Sequence, residues 1–173
     1  VDWIKGGRMI NYIEKGDGLH AKIAKAGFML REENGDWISS DDAAVQAIID
    51  GYSLTDAKAH KAAEITAFAK EQFDKAIAGI SAGEMAGWPI LRAEALAYTA
   101  SGDEADCPSI VQEAADRGIT VETLVAKVNA NAAYFNGLRA KIAGASGKHR
   151  DAVNELTTFD EVVAYDYSAG WSL

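Results

Sequence analysis

Ser81 to Gly102 reads SAGEMAGWPILRAEALAYTASG, and the fold of this stretch decides how the rest of the chain is organised. Ser81 and Glu84 have the spacing of a capping box, in which each side chain satisfies a backbone N–H at a helix start. Trp88, Leu91, Ala95 and Tyr98 recur at steps of three and four, one stripe of a helix. Gly102 is a natural C-terminal stop. Pro89 falls inside the pattern; it removes a backbone hydrogen bond, so the spacing predicts a kink or a restart there. The expected element is a bent amphipathic helix with a tryptophan at the bend.

Upstream of it, Thr55 to Ala78 predicts a helix of about six turns. Ala62, Ile65, Phe68, Ala69, Phe73, Ala76 and Ile80 form a broad apolar stripe, with Glu64, Glu71, Asp74 and Lys75 on the solvated face. Downstream, Ser101 to Asp106 is an acidic loop, and Pro108 suits the first turn of a short helix ending at Gly118. Thr120 then caps the most regular segment. Val121, Leu124, Val128, Asn131, Phe135, Leu138 and Ile142 follow at steps of three and four, a heptad-like seam of three repeats with Asn131 as its polar member. Gly144 and Gly147 are expected to end it, with a further short helix from His149 to Leu156. Thr158 and Glu161 make a second capping box, before an acidic, aromatic tail carrying Tyr165, Tyr167 and Trp171.

The start of the chain differs. Residues 1–8 read as an extension preceding Met9, or as an internal point of a longer chain, and are set aside. Residues 9–54 read as a small α+β unit. Leu19 to Ala26 is a short helix closed by Gly27. Asn34-Gly35 then joins Phe28–Glu33 to Asp36–Ile38 as a hairpin, because a type I′ turn needs positive φ at both central residues. Ser40 is expected to cap a helix from Asp41 to Asp50. Phe28, Leu30, Trp37 and Ile38 should form a mini-core against these helices, since a lone hairpin is marginal. The fold class is thus mainly α: this N-terminal unit, then a helical bundle or stalk over 55–157 with the heptad-like helix, then a short helix and tail over 158–173.

Composition bounds the function. The chain has 173 residues, 49% of them hydrophobic, with a formal charge of −9. That length can bury a core, and that balance is too apolar for disorder. Net acidity disfavours a nucleic-acid backbone as partner, which needs clustered Lys and Arg. No apolar run approaches a membrane span, and no secretory signal pattern is visible. One cysteine, Cys107, excludes an internal disulfide and a Cys-based zinc site.

Residue types that could carry chemistry do not converge. His20, His60 and His149 lie on separate predicted helices without metal-ligand spacing, and His20 and His60 read as surface residues. His149, between Lys148 and Arg150, reads as part of a solvated helix start. Asp41-Asp42 has the charge for a divalent ion, but acids are common in a first helical turn. Cys107 precedes Pro108 at a helix start, where a thiol can be acidified, with no histidine near in sequence. Glu94 lies off the apolar stripe and reads as a surface or capping group. No catalytic, cofactor or metal residues emerge, and the chain reads as non-enzymatic.

Trp88-Pro89, Glu94-Ala95, Tyr98, Pro108, Arg117-Gly118, Leu124 and Ile142, in that order, resemble a family of uncharacterised tailed-bacteriophage proteins. The likeness spans about Ile65 to Gly147 and is to the helical C-terminal domain that accompanies tail fibres, baseplates and tail-fibre assembly factors. Leu19-His20-Ala21, Asp36-Trp37 and Val45 to Asp50 also resemble short proteins of phage tail gene clusters. The resemblance implies a virion component of the tail, baseplate or fibre-attachment region, or alternatively a tail-fibre assembly chaperone. It would sit in the virion tail, or in the host cytoplasm during assembly. Its partners would be other tail proteins or a tail fibre. Homo-oligomerisation is expected through the seam, with Phe135 bulky enough to favour a wider bundle such as a trimer; the alternative is that the same stripe packs on the Thr55–Ala78 and Trp88 helices of its own chain. Trp88, Tyr165, Tyr167 and Trp171 are the further contact candidates.

Overall fold

The computed structural model describes residues 10–171, so the expected extension at 1–8 lies outside them. The chain is mainly helical. Among the described residues it holds seven α-helices, a two-stranded antiparallel hairpin and one 3₁₀ turn. These form two compact units, one of residues 10–68 with Ala145–Gly170, the other of Ala69–Gly144 with Trp171.

The first unit begins with α1, Asp17–Lys25, then β1, Leu30–Glu33, and β2, Asp36–Ser39. Asn34 and Gly35 sit at φ 56° and 86°, the two positive values a type I′ turn requires, and Glu33 pairs with Asp36 across it. Helix α2, Asp42–Gly51, starts one residue later than the sequence suggests. Its cap is Asp41, whose carboxylate accepts from the Ala44 N–H at 3.0 Å. Helix α3 runs from Leu54 to Ala76. Ser53 caps it: Ser53 Oγ accepts from the Asp56 N–H at 3.2 Å, and the Asp56 carboxylate accepts from the Ser53 N–H at 2.9 Å.

The small core here is Leu19, Ile23, Val45, Ile49 and Tyr52, with Phe28, Leu30 and Trp37 packed on it. Ile38, expected in the mini-core, is exposed, because side chains alternate along a strand and Trp37 takes the inward face. The core is not closed by the N-terminal segment alone. Val162 of α7, Phe159–Ala164, is buried in it, and Leu156 and Phe159 pack against it. The residues that seal this unit therefore lie about a hundred positions along the chain from those they cover, and Lys58 Nζ donates to the Asn154 carbonyl at 2.7 Å. The Thr158–Glu161 capping box is complete.

The second unit contains α4, Ala82–Ser101, and α5, Pro108–Arg117. Ser81 Oγ accepts from the Glu84 N–H at 3.1 Å, and Gly102 ends α4 in left-handed backbone. Pro89 is carried within α4, which continues through it rather than restarting. Glu94 does cap: its Oε2 accepts from the Ile110 N–H at 3.0 Å, in the first turn of α5.

Helix α6 runs from Val121 to Glu155, straight through Gly144 and Gly147, where the sequence predicts a stop and a second helix. Each interior glycine costs about 1 kcal/mol of helix propensity. Burying an aliphatic side chain recovers about 1.5–3 kcal/mol, and Leu138, Ile142 and Val153 are all buried. Ser146 and His149 occupy the same stripe and are buried too. The stripe turns polar there, which is why the apolar pattern breaks off in the sequence while the helix does not.

Candidate docking groove

The seam on α6 has two kinds of position. Toward its start, Val121, Leu124 and Val125 are buried with Ala95 of α4 and Ile110 and Ala114 of α5, and Val128 packs at the margin. Toward its end, Leu138 and Ile142 are buried with Ala69, and Phe73, Phe135 and Trp171 pack on them. Four of the seven seam residues thus lie in the chain's own core, Val128 and Phe135 are half-buried, and Asn131 is exposed.

Between these two packed regions the second unit holds a groove with a cavity volume of about 900 Å³. Its apolar lining comes from Met85, Trp88 and Leu91 of α4, Leu124, Val128 and Phe135 of α6, and Phe73 of α3. Trp88 is half-buried, and its ring centroid lies 4.5 Å from that of Phe135. The tryptophan of α4 is thus part of a groove wall. Its large ring meets Phe135 on one side and the open groove on the other.

The rim is cationic. Arg92, Arg117, Lys127 and Arg139 line the groove, against two acids, Glu84 and Glu113. Within Ala69–Gly144 these are four of seven Lys/Arg but two of ten Asp/Glu, so the basic charge of an acidic segment is gathered at this one place. Arg117 is ion-paired to Glu113 at 2.6 Å, and Arg92 donates to the Asn129 side chain. Lys127 and Arg139 are exposed. Lys127, Asn131, Phe135 and Arg139 form one i, i+4 row along α6, in which the seam residues Asn131 and Phe135 are flanked by two basic ones. The seam's periodicity picks out Asn131 and Phe135 but carries no signal for Lys127 and Arg139.

The three C-terminal aromatics are all engaged within the chain. Tyr165 Oη lies 2.9 Å from His149 Nδ1. Tyr167 meets the Phe68 ring edge-on at 5.6 Å, with Lys61 Nζ above its own ring. Trp171 packs on the Leu138–Ile142 cluster.

The residues that could carry other chemistry are likewise held by structural contacts. His149 is buried rather than solvating a helix start, and its Nε2 lies 2.9 Å from the Ala169 carbonyl. His20 is half-buried beside Tyr12 and Trp37, 2.8 Å from the Tyr12 hydroxyl, rather than a free surface residue. His60 pairs with Glu64 at 3.3 Å. Asp42 accepts from Ser39 Oγ at 2.6 Å, next to the capping Asp41. Cys107 is fully buried, and burial followed by the nearby carboxylates of Glu94 and Glu104 pushes its thiol up, the opposite of acidification. No group of three or more His, Cys, Asp or Glu among the described residues could hold a metal ion, and no described helix is long and apolar enough to cross a membrane.

Comparison of the chain with protein-family models, with curated proteins and with solved structures gives no match.

Proposed function

We propose that this chain is a non-enzymatic bacteriophage virion component of the tail, baseplate or fibre-attachment region, acting through contacts with other proteins and with copies of itself. The phage assignment rests on the resemblance around Trp88-Pro89. The observation that supports a contact role is the groove of the second unit. Aromatic and aliphatic side chains are left open to a neighbour there, ringed by the basic residues of an otherwise acidic segment. Aromatic and arginine residues are the types enriched where proteins meet, since each combines a large apolar area with a polar edge.

Mass spectrometry of purified phage particles tests the role. Abundance comparable to that of known tail proteins is the expected result. Presence in infected-cell extracts with absence from particles would replace this role with that of a tail-fibre assembly chaperone. Self-association is tested separately by light scattering across a concentration series. A chain that stays monomeric throughout loses the homo-oligomer part of the proposal, the trimer included.

A further inference from the structure

The groove has a length, a floor and a charge, and together these specify what fits it. Along α6 its lining runs from Leu124 to Arg139. At 1.5 Å per residue this face extends roughly 22 Å, about four helical turns. A small ligand fills roughly 300–1,000 Å³ of compact, mostly enclosed pocket. Here a comparable volume is drawn out along a helix instead.

The floor alternates apolar contacts over several turns: Leu124, Val128 and Phe135 on one side, Trp88 and Leu91 on the other. This is the arrangement that receives a helix through anchors at i, i+3, i+4 and i+7. The flanking charge selects the sign of the occupant. Lys127 and Arg139 stand on the exposed side of the groove, Arg92 on α4, with Asn131 and Asn136 able to bond polar groups between them. Arginine forks match carboxylates in two-point contacts.

We infer that the groove between α4 and α6 docks an amphipathic helix of a partner protein, with apolar anchors on Trp88 and Phe135 and carboxylates facing Lys127, Arg139 and Arg92. The inference rests on the contact role proposed above and names the chemistry of the contact. A nucleic-acid strand fits less well: Trp88 and Phe135 offer faces for base stacking, but the groove sets only four basic residues against two acids, and the chain's −9 charge repels a long polyanion. A second copy of this chain is the rival occupant.

Panning a display library of random peptides about 15 residues long, enough to span the groove as a helix, against the full chain tests this. The Lys127→Glu, Arg139→Glu double variant serves for counter-selection. Both positions are exposed, so the variant should keep its helical circular dichroism. If it does not, Lys127→Gln with Arg139→Gln replaces it. The expected result is enrichment of sequences with apolar residues at helical spacing flanked by Asp and Glu. By fluorescence anisotropy these should bind the variant about tenfold or more weakly than the wild type, and lose affinity as salt rises. Absence of enrichment, enrichment without acidic bias, or equal affinity for both chains would overturn the inference. So would a wild-type dimer that the double variant breaks, since the groove would then hold a second copy. Particle mass spectrometry is independent of each of these outcomes, so failure of the docking inference and failure of the virion role are told apart.

Discussion

His149 of α6 and Tyr165, just past α7, are joined ring to hydroxyl at 2.9 Å, and the other nitrogen of His149 reaches the Ala169 carbonyl at the same distance. A carbonyl only accepts, so Nε2 carries the hydrogen there, and in the neutral ring Nδ1 accepts from the Tyr165 hydroxyl. One side chain thus fixes both the residue after α7 and the tail four positions further on. His149→Ala removes both bonds and leaves a gap where a buried ring stood, and should destabilise the protein by about 2–3 kcal/mol. Tyr165→Phe loses one bond and should cost about 1 kcal/mol. Urea denaturation checks both, and limited proteolysis of the His149 variant should cut first within 165–171. Equal stability of His149→Ala and the wild type would mean the tail is held by other contacts.

Gly18 lies beneath the Tyr52 phenol. A Cβ at this position would overlap the Tyr52 hydroxyl and lie 2.8 Å from His60 Cβ. Gly18→Ala should therefore destabilise by about 1–3 kcal/mol, although alanine is the better helix former. The Tyr52 hydroxyl is buried and has no hydrogen-bond partner among the described residues. Tyr52→Phe should consequently be neutral or slightly stabilising, and should recover much of the Gly18→Ala loss in the double variant. Additive effects in that thermal-denaturation cycle would disprove the proposed overlap.

Gly35 is the second central residue of the hairpin turn, at φ 86°. A β-branched side chain resists positive φ, so Gly35→Val should cost about 1 kcal/mol or more. NMR shifts of Leu30–Glu33 and Asp36–Ser39 should change, with those of α4 and α5 unmoved. Unaltered hairpin shifts would argue against the type I′ turn.

Two members of the α6 seam should respond differently. Leu124 is 2% exposed, and Leu124→Ala should cost about 2–5 kcal/mol. Asn131 faces the groove, and Asn131→Ala should fall within about 0.5 kcal/mol of the wild type. Guanidinium denaturation measures both. A large loss at Asn131 would place it in a packed seam.

Asp56 gives the first unit an acid-sensitive contact. Its hydrogen bonds from the Ser53 N–H and hydroxyl, followed by the one from Lys22, hold its carboxyl down at about 2, against an ordinary 3.8. A depressed folded-state value means the stabilisation is complete above about pH 4 and is lost as pH falls toward 2. The thermal midpoint of the wild type should exceed that of Asp56→Asn at neutral pH, and the gap should narrow between about pH 4 and 2. The size is modest because the site is partly exposed. A gap independent of pH would assign the effect to helix capping without charge.

Local chemistry was legible in the sequence because it acts over a few residues. The Asn34-Gly35 turn, the Ser81 and Thr158 caps, the Gly102 and Gly118 stops and the Pro108 start each depend on neighbours within one turn. Even the 3.6-residue periodicity that announces α3 and α6 is local. Three features required the tertiary structure. The first unit takes Leu156, Phe159 and Val162 into its core, a closure across about a hundred residues that no short-range pattern encodes. Helix α6 continues past Gly144 and Gly147 because buried contacts at Ile142, His149 and Val153 outweigh two propensity penalties, and burial is a property of what packs around a residue. The seam's fate was decided the same way. An apolar stripe states that something must cover it, but whether the cover is the chain's own α4 and α5 or another molecule depends on where those helices stop. Helices α4 and α5 cover the start of the stripe, Ala69 and Phe73 of α3 with Trp171 cover its end, and Asn131, Phe135 and Trp88 are left bordering the groove.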